Sequence, residues 1–269
     1  MLIETLGRRT VALVEYVLNL LLMAYLAARA AMFEDSQGFR EILRVISAQV
    51  YFTGWQAVPI ISTLALATGS IIILNSSAQM SLIGDVDMIG NIVVVVAVRE
   101  LCPLITALIV IARSGTAVAS ELGNMKVNRE IDALRSMGIN PLSYIVFPRL
   151  LGGIISVLCL AFYFNLMAVM GGYLVTSFIS HLPFGFYMTS VAQAITGEDI
   201  ALFFIKNLVS GTLIFTVACY QGLQVKQSPH EVPQTTTKAV MISVLGVTIF
   251  NLTTTAIVSL SQLGLLGAA

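Results

Sequence analysis

The sequence is short of charge. Only 14 of its 269 residues are Lys or Arg and 14 are Asp or Glu, together 10%, where a soluble domain carries roughly 25%. The two signs cancel to a formal net charge of zero, so no basic field is present to attract nucleic acid. Histidine is nearly absent: His181 and His230 fall in separate segments. The chain has no G-x-x-x-x-G-K-[S/T] phosphate loop, no H-E-x-x-H and no G-x-S-x-G, so it lacks the residues for ATP hydrolysis, metalloprotease or serine-hydrolase chemistry. Its three cysteines, Cys102, Cys159 and Cys219, each sit inside an apolar run and read as small buried hydrophobes, without disulfide or metal spacing. A non-catalytic chain with no cofactor is expected.

What fills the space is hydrocarbon: 57% of the residues are hydrophobic. In lipid every backbone polar group must be satisfied internally, and long apolar runs do this as helices. An all-α integral membrane protein follows. About 20 apolar residues cross the bilayer core, and the charge-free stretches place five spans. They are Val58 to Ser76, Met88 to Ala112, Leu150 to Ser180, Ile200 to Val225, and Ala239 to the C-terminus. Segments 77–88 and 181–199 hold acids and a histidine but no Lys or Arg. Segment 113–149 carries Arg113, Lys126, Arg129, Arg135 and Arg149, and segment 226–238 carries Lys226 and Lys238. The positive-inside rule puts these last two segments in the cytoplasm and the C-terminus outside.

Residues 10–33 are long and apolar enough for a sixth span. Basic residues flank both sides, however: Arg8 and Arg9 before, Arg29, Arg40 and Arg44 after. A helix lying in the cytoplasmic interface accounts for that symmetry, with the N-terminus inside. The chain divides accordingly into an N-terminal interfacial region, 1–50, and a five-span domain, 51–269.

Within segment 113–149, Asn128 can cap a short helix whose first turn holds Glu130 and Asp132, where the helix dipole favours acids. Gly138 and Asn140-Pro141 end it. Ile131, Leu134 and Met137, three apart, make an apolar stripe. The helix is either a solvated loop element or a docking surface for a soluble partner. Gly115 and Ala119 form a small-x-x-x-small pair, suited to close packing within the chain or at a dimer seam. Asn75, Asn165, Asn207, Gln221 and Asn251 are polar groups in or near spans, and interhelical hydrogen bonds are their default use. Lys206, near one end of the fourth span, reads as a side chain snorkelling to the interface.

The second span contains VVVVAVRELCPLITALIVIA, with Arg99 and Glu100 adjacent in its middle. Intramembrane charges cost several kcal/mol and commonly face a cavity or one another. Neighbouring helix residues point about 100° apart, so the two need not pair together. They either brace other spans or line a polar path. Pro103, three residues beyond Glu100, can loosen the helix at that point.

The stretch RELCPL (99–104), ARSGTAVASELG (112–123) and M-x-x-x-x-EIDAL-x-x-MG-x-x-P (125–141) closely resembles the signature region of the MlaE (YrbE) family, over roughly 50 residues. Members of that family are permease subunits of ABC transporters that work with MCE proteins in lipid trafficking. One departure stands out: the family usually carries two adjacent acids before DAL, and here the first position is Arg129. The resemblance implies a permease in the bacterial inner membrane with a phospholipid substrate. It also implies a homodimer, separate cytoplasmic ATPase subunits and a periplasmic MCE-domain ring. Residues 121–138 would then hold a coupling helix seated on the ATPase, with Glu130, Asp132, Leu134, Met137 and Gly138 at the contact. Arg99 and Glu100 would bind the lipid's polar end. The alternative is a self-contained secondary transporter or channel gated by that pair.

Overall fold

The computed structural model describes residues 2–33, 39–80, 88–180, 184–226 and 228–266. His181 and the acidic residue Asp85 lie outside them. Eleven α-helices occur among the described residues, with no strand. They are α1 (Leu2–Phe33), α2 (Phe39–Thr53), α3 (Val58–Met80), α4 (Met88–Ile92), α5 (Cys102–Val110), α6 (Thr116–Val127), α7 (Glu130–Ser136), α8 (Phe147–Ser180), α9 (Phe184–Ala194), α10 (Gly197–Leu223) and α11 (Glu231–Leu266). Six helical runs are long and apolar enough to cross a membrane: Val14–Ala31, Ile42–Asn75, Gly90–Val127, Leu142–Val175, Gly197–Leu223 and Glu231–Ser261. The chain is an all-α integral membrane protein.

The spans at α3, α8, α10 and α11 coincide closely with the charge-free stretches. The second does not end where its sequence suggested. It continues unbroken from α4 through α5 and α6, through wider π-helical turns at Val93–Leu101 and Ile111–Gly115. Its apolar run of 38 residues is roughly 55 Å long at 1.5 Å per residue, well beyond the roughly 30 Å hydrocarbon core. Arg113, which the sequence suggested lay in a loop, is inside this helix. Its Nη1 donates to the Phe52 carbonyl at 2.9 Å, its Nη2 to Gln56 Oε1 at 2.6 Å, and its guanidinium lies 5.1 Å from the Phe52 ring centroid. Those partners let a charged residue sit mid-helix, and they pin the helix to the bend between α2 and α3.

The end of the first π segment has a cause in sequence. Pro103 has no N–H to give the carbonyl four residues back, which belongs to Arg99. The ladder slips by one residue, and the Cys102 N–H reaches the Ala97 carbonyl.

Helix α8 is the centre of the bundle, packed against α2, α3, α5 and α10; α10 in turn packs against α6 and α11. The α3–α8 pair approaches backbone to backbone: a Cβ on Gly69 would overlap the Ala168 carbonyl, and one on Gly171 would overlap Leu66. Small residues permit this approach, which drives helix association where no hydrophobic effect operates. Ser62 and Tyr163 add an interhelical hydrogen bond at 2.8 Å. Gly115 and Ala119 are likewise used inside the chain. Gly115 faces Ile214 of α10, and Ala119 is buried against Gly222, where a Cβ would come within 2.8 Å of the Ala119 carbonyl.

Helix α1 buries Met23, Ala27 and Ala30 and exposes Val14, Val17, Leu18, Leu21, Leu22 and Tyr25. Its contacts fall on α8, on the turn Leu142–Val146 before α8, and on α10. At the far end of α10, Tyr16 accepts a hydrogen bond from Gln221 at 2.8 Å and meets Tyr220 edge-on at 5.3 Å.

Candidate functional site

Arg99 and Glu100 do not pair with each other. Each bridges to α10, and the 100° between neighbouring residues sends them to different partners. Arg99 donates through Nε to Asp199 Oδ1 at 2.8 Å, and its Nη2 stands 2.6 Å from the same oxygen. The other carboxylate oxygen of Asp199 accepts from the Thr196 N–H at 3.0 Å and from the Thr196 hydroxyl at 2.8 Å. Thr196 and Asp199 form a capping box at the start of α10, so the acid is oriented before Arg99 reaches it.

Seven residues on, two turns along the same face of α10, is Lys206. The snorkelling role expected of it does not hold. It is 1% exposed, and its Nζ has inward partners in place of water. Nζ donates to both Glu100 oxygens at 3.2 Å, to Thr255 Oγ1 at 3.0 Å and to the Arg99 carbonyl at 2.9 Å. That carbonyl is the one Pro103 leaves without a helical donor, so the proline makes the acceptor that helps hold the lysine. Thr255 of α11 donates to Glu100 Oε2 at 2.7 Å, bringing a third span into the cluster.

The result is a layer of two cations and two anions, neutral in sum. The pairing is what makes charge tolerable at this depth, since breaking one member of a buried pair strands the other. The layer is not sealed: the side chains of Arg99 and Glu100 keep 15% and 30% of their surface, whereas Asp199 and Lys206 are closed off. Asp199 was missed by sequence because it stands last in an acidic loop segment. Its T-x-x-D spacing with Thr196 was the signal that would have found it.

Of the other intramembrane polar residues, Gln221 makes an interhelical bond, to Tyr16. Asn251 makes a long one, 3.5 Å to Ser210, besides its bond to the Val247 carbonyl of its own helix. Among the described residues Asn207 donates only to Phe203, of its own helix.

The second candidate site is α7. Asn128 is not its N-cap but closes α6 with helical dihedrals, and its side chain donates to Glu130 at 3.2 Å. Arg129 takes the N-cap position in the left-handed region, φ 59°, which turns the chain sharply from α6 into α7. Glu130 and Asp132 occupy the first turn, as the dipole favours, and Asp132 lies 3.6 Å from Lys126. The C-terminus is a Schellman motif: Gly138 N–H to the Arg135 carbonyl and Ile139 N–H to the Leu134 carbonyl, both 3.0 Å, with Gly138 at φ 77°. The apolar stripe divides. Ile131 is buried and Leu134 half-buried against the bundle, so they tether the helix, while Met137 is 66% exposed. The outward face of α7 therefore presents Ala133, Ser136, Met137 and Gly138, with Glu130 at its base.

Residues 46–257 match the family described as permease MlaE. A probable ABC transporter permease protein of Rickettsia typhi is 32% identical over 209 residues, 78% of this chain and 81% of its own. The protein TRIGALACTOSYLDIACYLGLYCEROL 1 of Arabidopsis thaliana chloroplasts is 33% identical over 59% of this chain and 45% of its own. The intermembrane phospholipid transport system permease protein MlaE of Haemophilus influenzae is 28% identical over 64% of each. With its helical spans, its inward charge layer and a family match covering most of its length, the chain belongs to the MlaE family of ABC transporter permeases.

Proposed function

We propose that this permease moves phospholipids between the bacterial inner membrane and a periplasmic MCE-domain partner, working as a homodimer with cytoplasmic ATPase subunits. The observation that carries this reading is the neutral charge layer, with Arg99 and Glu100 partly open and their partners Asp199 and Lys206 buried. A phospholipid headgroup brings a phosphate, and often an ammonium, into a region that tolerates no net charge. A layer of two cations and two anions can take both by exchanging partners. Arginine's planar fork suits phosphate, and charge-assisted bonds are strong at low dielectric. The name of the Haemophilus influenzae relative points the same way.

Helix α1 fits an interfacial position. Tyr16 reaches the end of α10 next to the Lys-containing segment 226–238, and α1 also crosses the turn leading into α8. Both contacts lie at the end that its basic residues assign to the cytoplasm, where α7 also lies. Glu130, Asp132, Met137 and Gly138, with Leu134 behind them, form the surface that α7 offers to the ATPase.

The test removes the Arg99–Asp199 pair without stranding a buried carboxylate. Arg99→Ala combined with Asp199→Asn should lower the phospholipid bound per purified complex and the transport rate, while ATPase assembly and melting temperature stay close to the parent. Arg99→Lys keeps charge without the fork and should be partly active. Unchanged bound lipid in a double variant of lower melting temperature would mean that the layer only braces helices.

A further inference from the structure

Beside α7 lies an open cleft of about 370 Å³, lined by residues of α2, α6, α7, the turn Leu142–Val146 and the start of α8. Its lining includes Glu121, Asn124 and Met125 from α6, Glu130 from α7, Tyr144, and Arg149 from α8. Two carboxylates face one guanidinium, which leaves the lining one charge negative. Arg149 is held at the inner wall, only 9% exposed, and its Nη2 donates to Glu121 Oε1 at 2.8 Å. Its Nη1 is closed off from solvent and has no hydrogen-bond partner among the described residues, so the guanidinium meets the cleft through its remaining surface. The pairing is single where an arginine and a carboxylate usually join through two parallel bonds. Glu121 and Glu130 reach toward solvent, and among the described residues the Glu130 carboxylate has only a 3.2 Å bond from Asn128.

We propose that this cleft is a socket for a basic side chain of the ATPase subunit, held by Glu121 and Glu130 while the occupant's backbone carbonyl faces Arg149. The inference rests on the reading that α7 is where the ATPase docks. An occupant matched to this lining brings a cation for the carboxylates and an acceptor for the guanidinium. A lysine or arginine in the last turn of a helix carries both: a basic group favoured by the dipole, and carbonyls without helical donors. Met125 and Tyr144 give the aliphatic stem apolar walls. Docking then has two points. Met137 and the outward face of α7 enter the partner, and the partner's basic residue enters the chain.

Asn124 allows a test that leaves α7 intact. It is exposed and lines the socket. Asn124→Arg supplies a guanidinium from within the chain, plugging the socket; Asn124→Ala leaves both the space and the acids. The permease is purified with its ATPase in nanodiscs, and the ATPase affinity and its dependence on NaCl are measured with melting temperature. Asn124→Arg should bind about tenfold more weakly, at an unchanged melting temperature, while Asn124→Ala binds like the parent. Glu130→Gln should flatten the salt dependence. Parent-like affinity in Asn124→Arg would overturn the socket. If Asn124→Arg does not insert, an unchanged salt dependence in Glu130→Gln overturns it. Met137→Asp tests the docking point itself: full ATPase binding in that variant removes α7 as the docking point, and the socket with it.

Discussion

Lys206→Met is the sharpest test of how the charge layer is held. The substitution preserves length and apolar stem and removes the ammonium. It strands the Glu100 carboxylate, which keeps only the Thr255 hydroxyl, and leaves the Arg99 carbonyl without its donor. Breaking a buried pair from one side costs about 3–5 kcal/mol. Glu100 retains 30% exposure, so water can partly replace the lysine, and the lower end, about 3 kcal/mol, is expected. Glu100→Gln in the same chain removes the stranded charge and keeps an acceptor for Thr255. Neutral replacement of a buried pair is often close to neutral in stability, so the double variant should recover most of the loss, to within about 1 kcal/mol of the parent. The assay is reversible unfolding in mixed micelles, run as a double-mutant cycle of parent, both singles and the double. A loss below about 1 kcal/mol for Lys206→Met, or a double variant no better than that single, would refute the claim that Glu100 depends on this partner.

Three further outcomes are expected. Met137→Asp, or Glu130→Lys together with Asp132→Lys, should lose the ATPase on purification while the permease stays inserted and folded; normal copurification yield would leave α7 a solvated loop helix. With Cys102, Cys159 and Cys219 replaced, a cysteine at Ile195 should react with an impermeant thiol reagent from outside and one at Ser228 only after the membrane is opened; a cysteine at Gln37 should follow Ser228, and external labelling there would make α1 a sixth span. Gly138→Ala meets no neighbour within 4 Å, so its cost is conformational, from φ 77°. It should be about 1 kcal/mol, read as faster amide exchange over 130–138, and exchange equal to the parent's would mean the left-handed turn is not what holds α7.

The spans were legible because burial in lipid leaves a direct record: about 20 residues without charge. The loosened turn before Pro103 was legible for a similarly local reason, a missing N–H. What sequence hid was pairing across the bundle. Lys206 looked like a snorkelling residue because its partners, Glu100 and Thr255, lie on other helices, and only α10's packing brings them together. The ending of the second span was misjudged because Arg113-Ser114-Gly115 has the composition of a loop. The helix passes through it because Phe52 and Gln56, some 60 positions earlier, satisfy the guanidinium. Asn128 has the right chemistry for an N-cap, yet the left-handed Arg129 intervenes, and a non-glycine residue with positive φ is not readable from composition.

Arg113 sits midway between Arg99 and Val127 on one uninterrupted helix, about 20 Å from each at 1.5 Å per residue. It is also where that helix is pinned, to the Phe52 carbonyl and Gln56. The same helix is held on both sides of that pin, by α8 and α10 beside α5 and by α10 and α11 beside α6. The cytoplasmic end and the charge layer therefore share one continuous piece of backbone and the same two neighbouring spans, α10 with Asp199 and Lys206 and α11 with Thr255, so a displacement of α6 is borne by the helices that hold the ion pairs together.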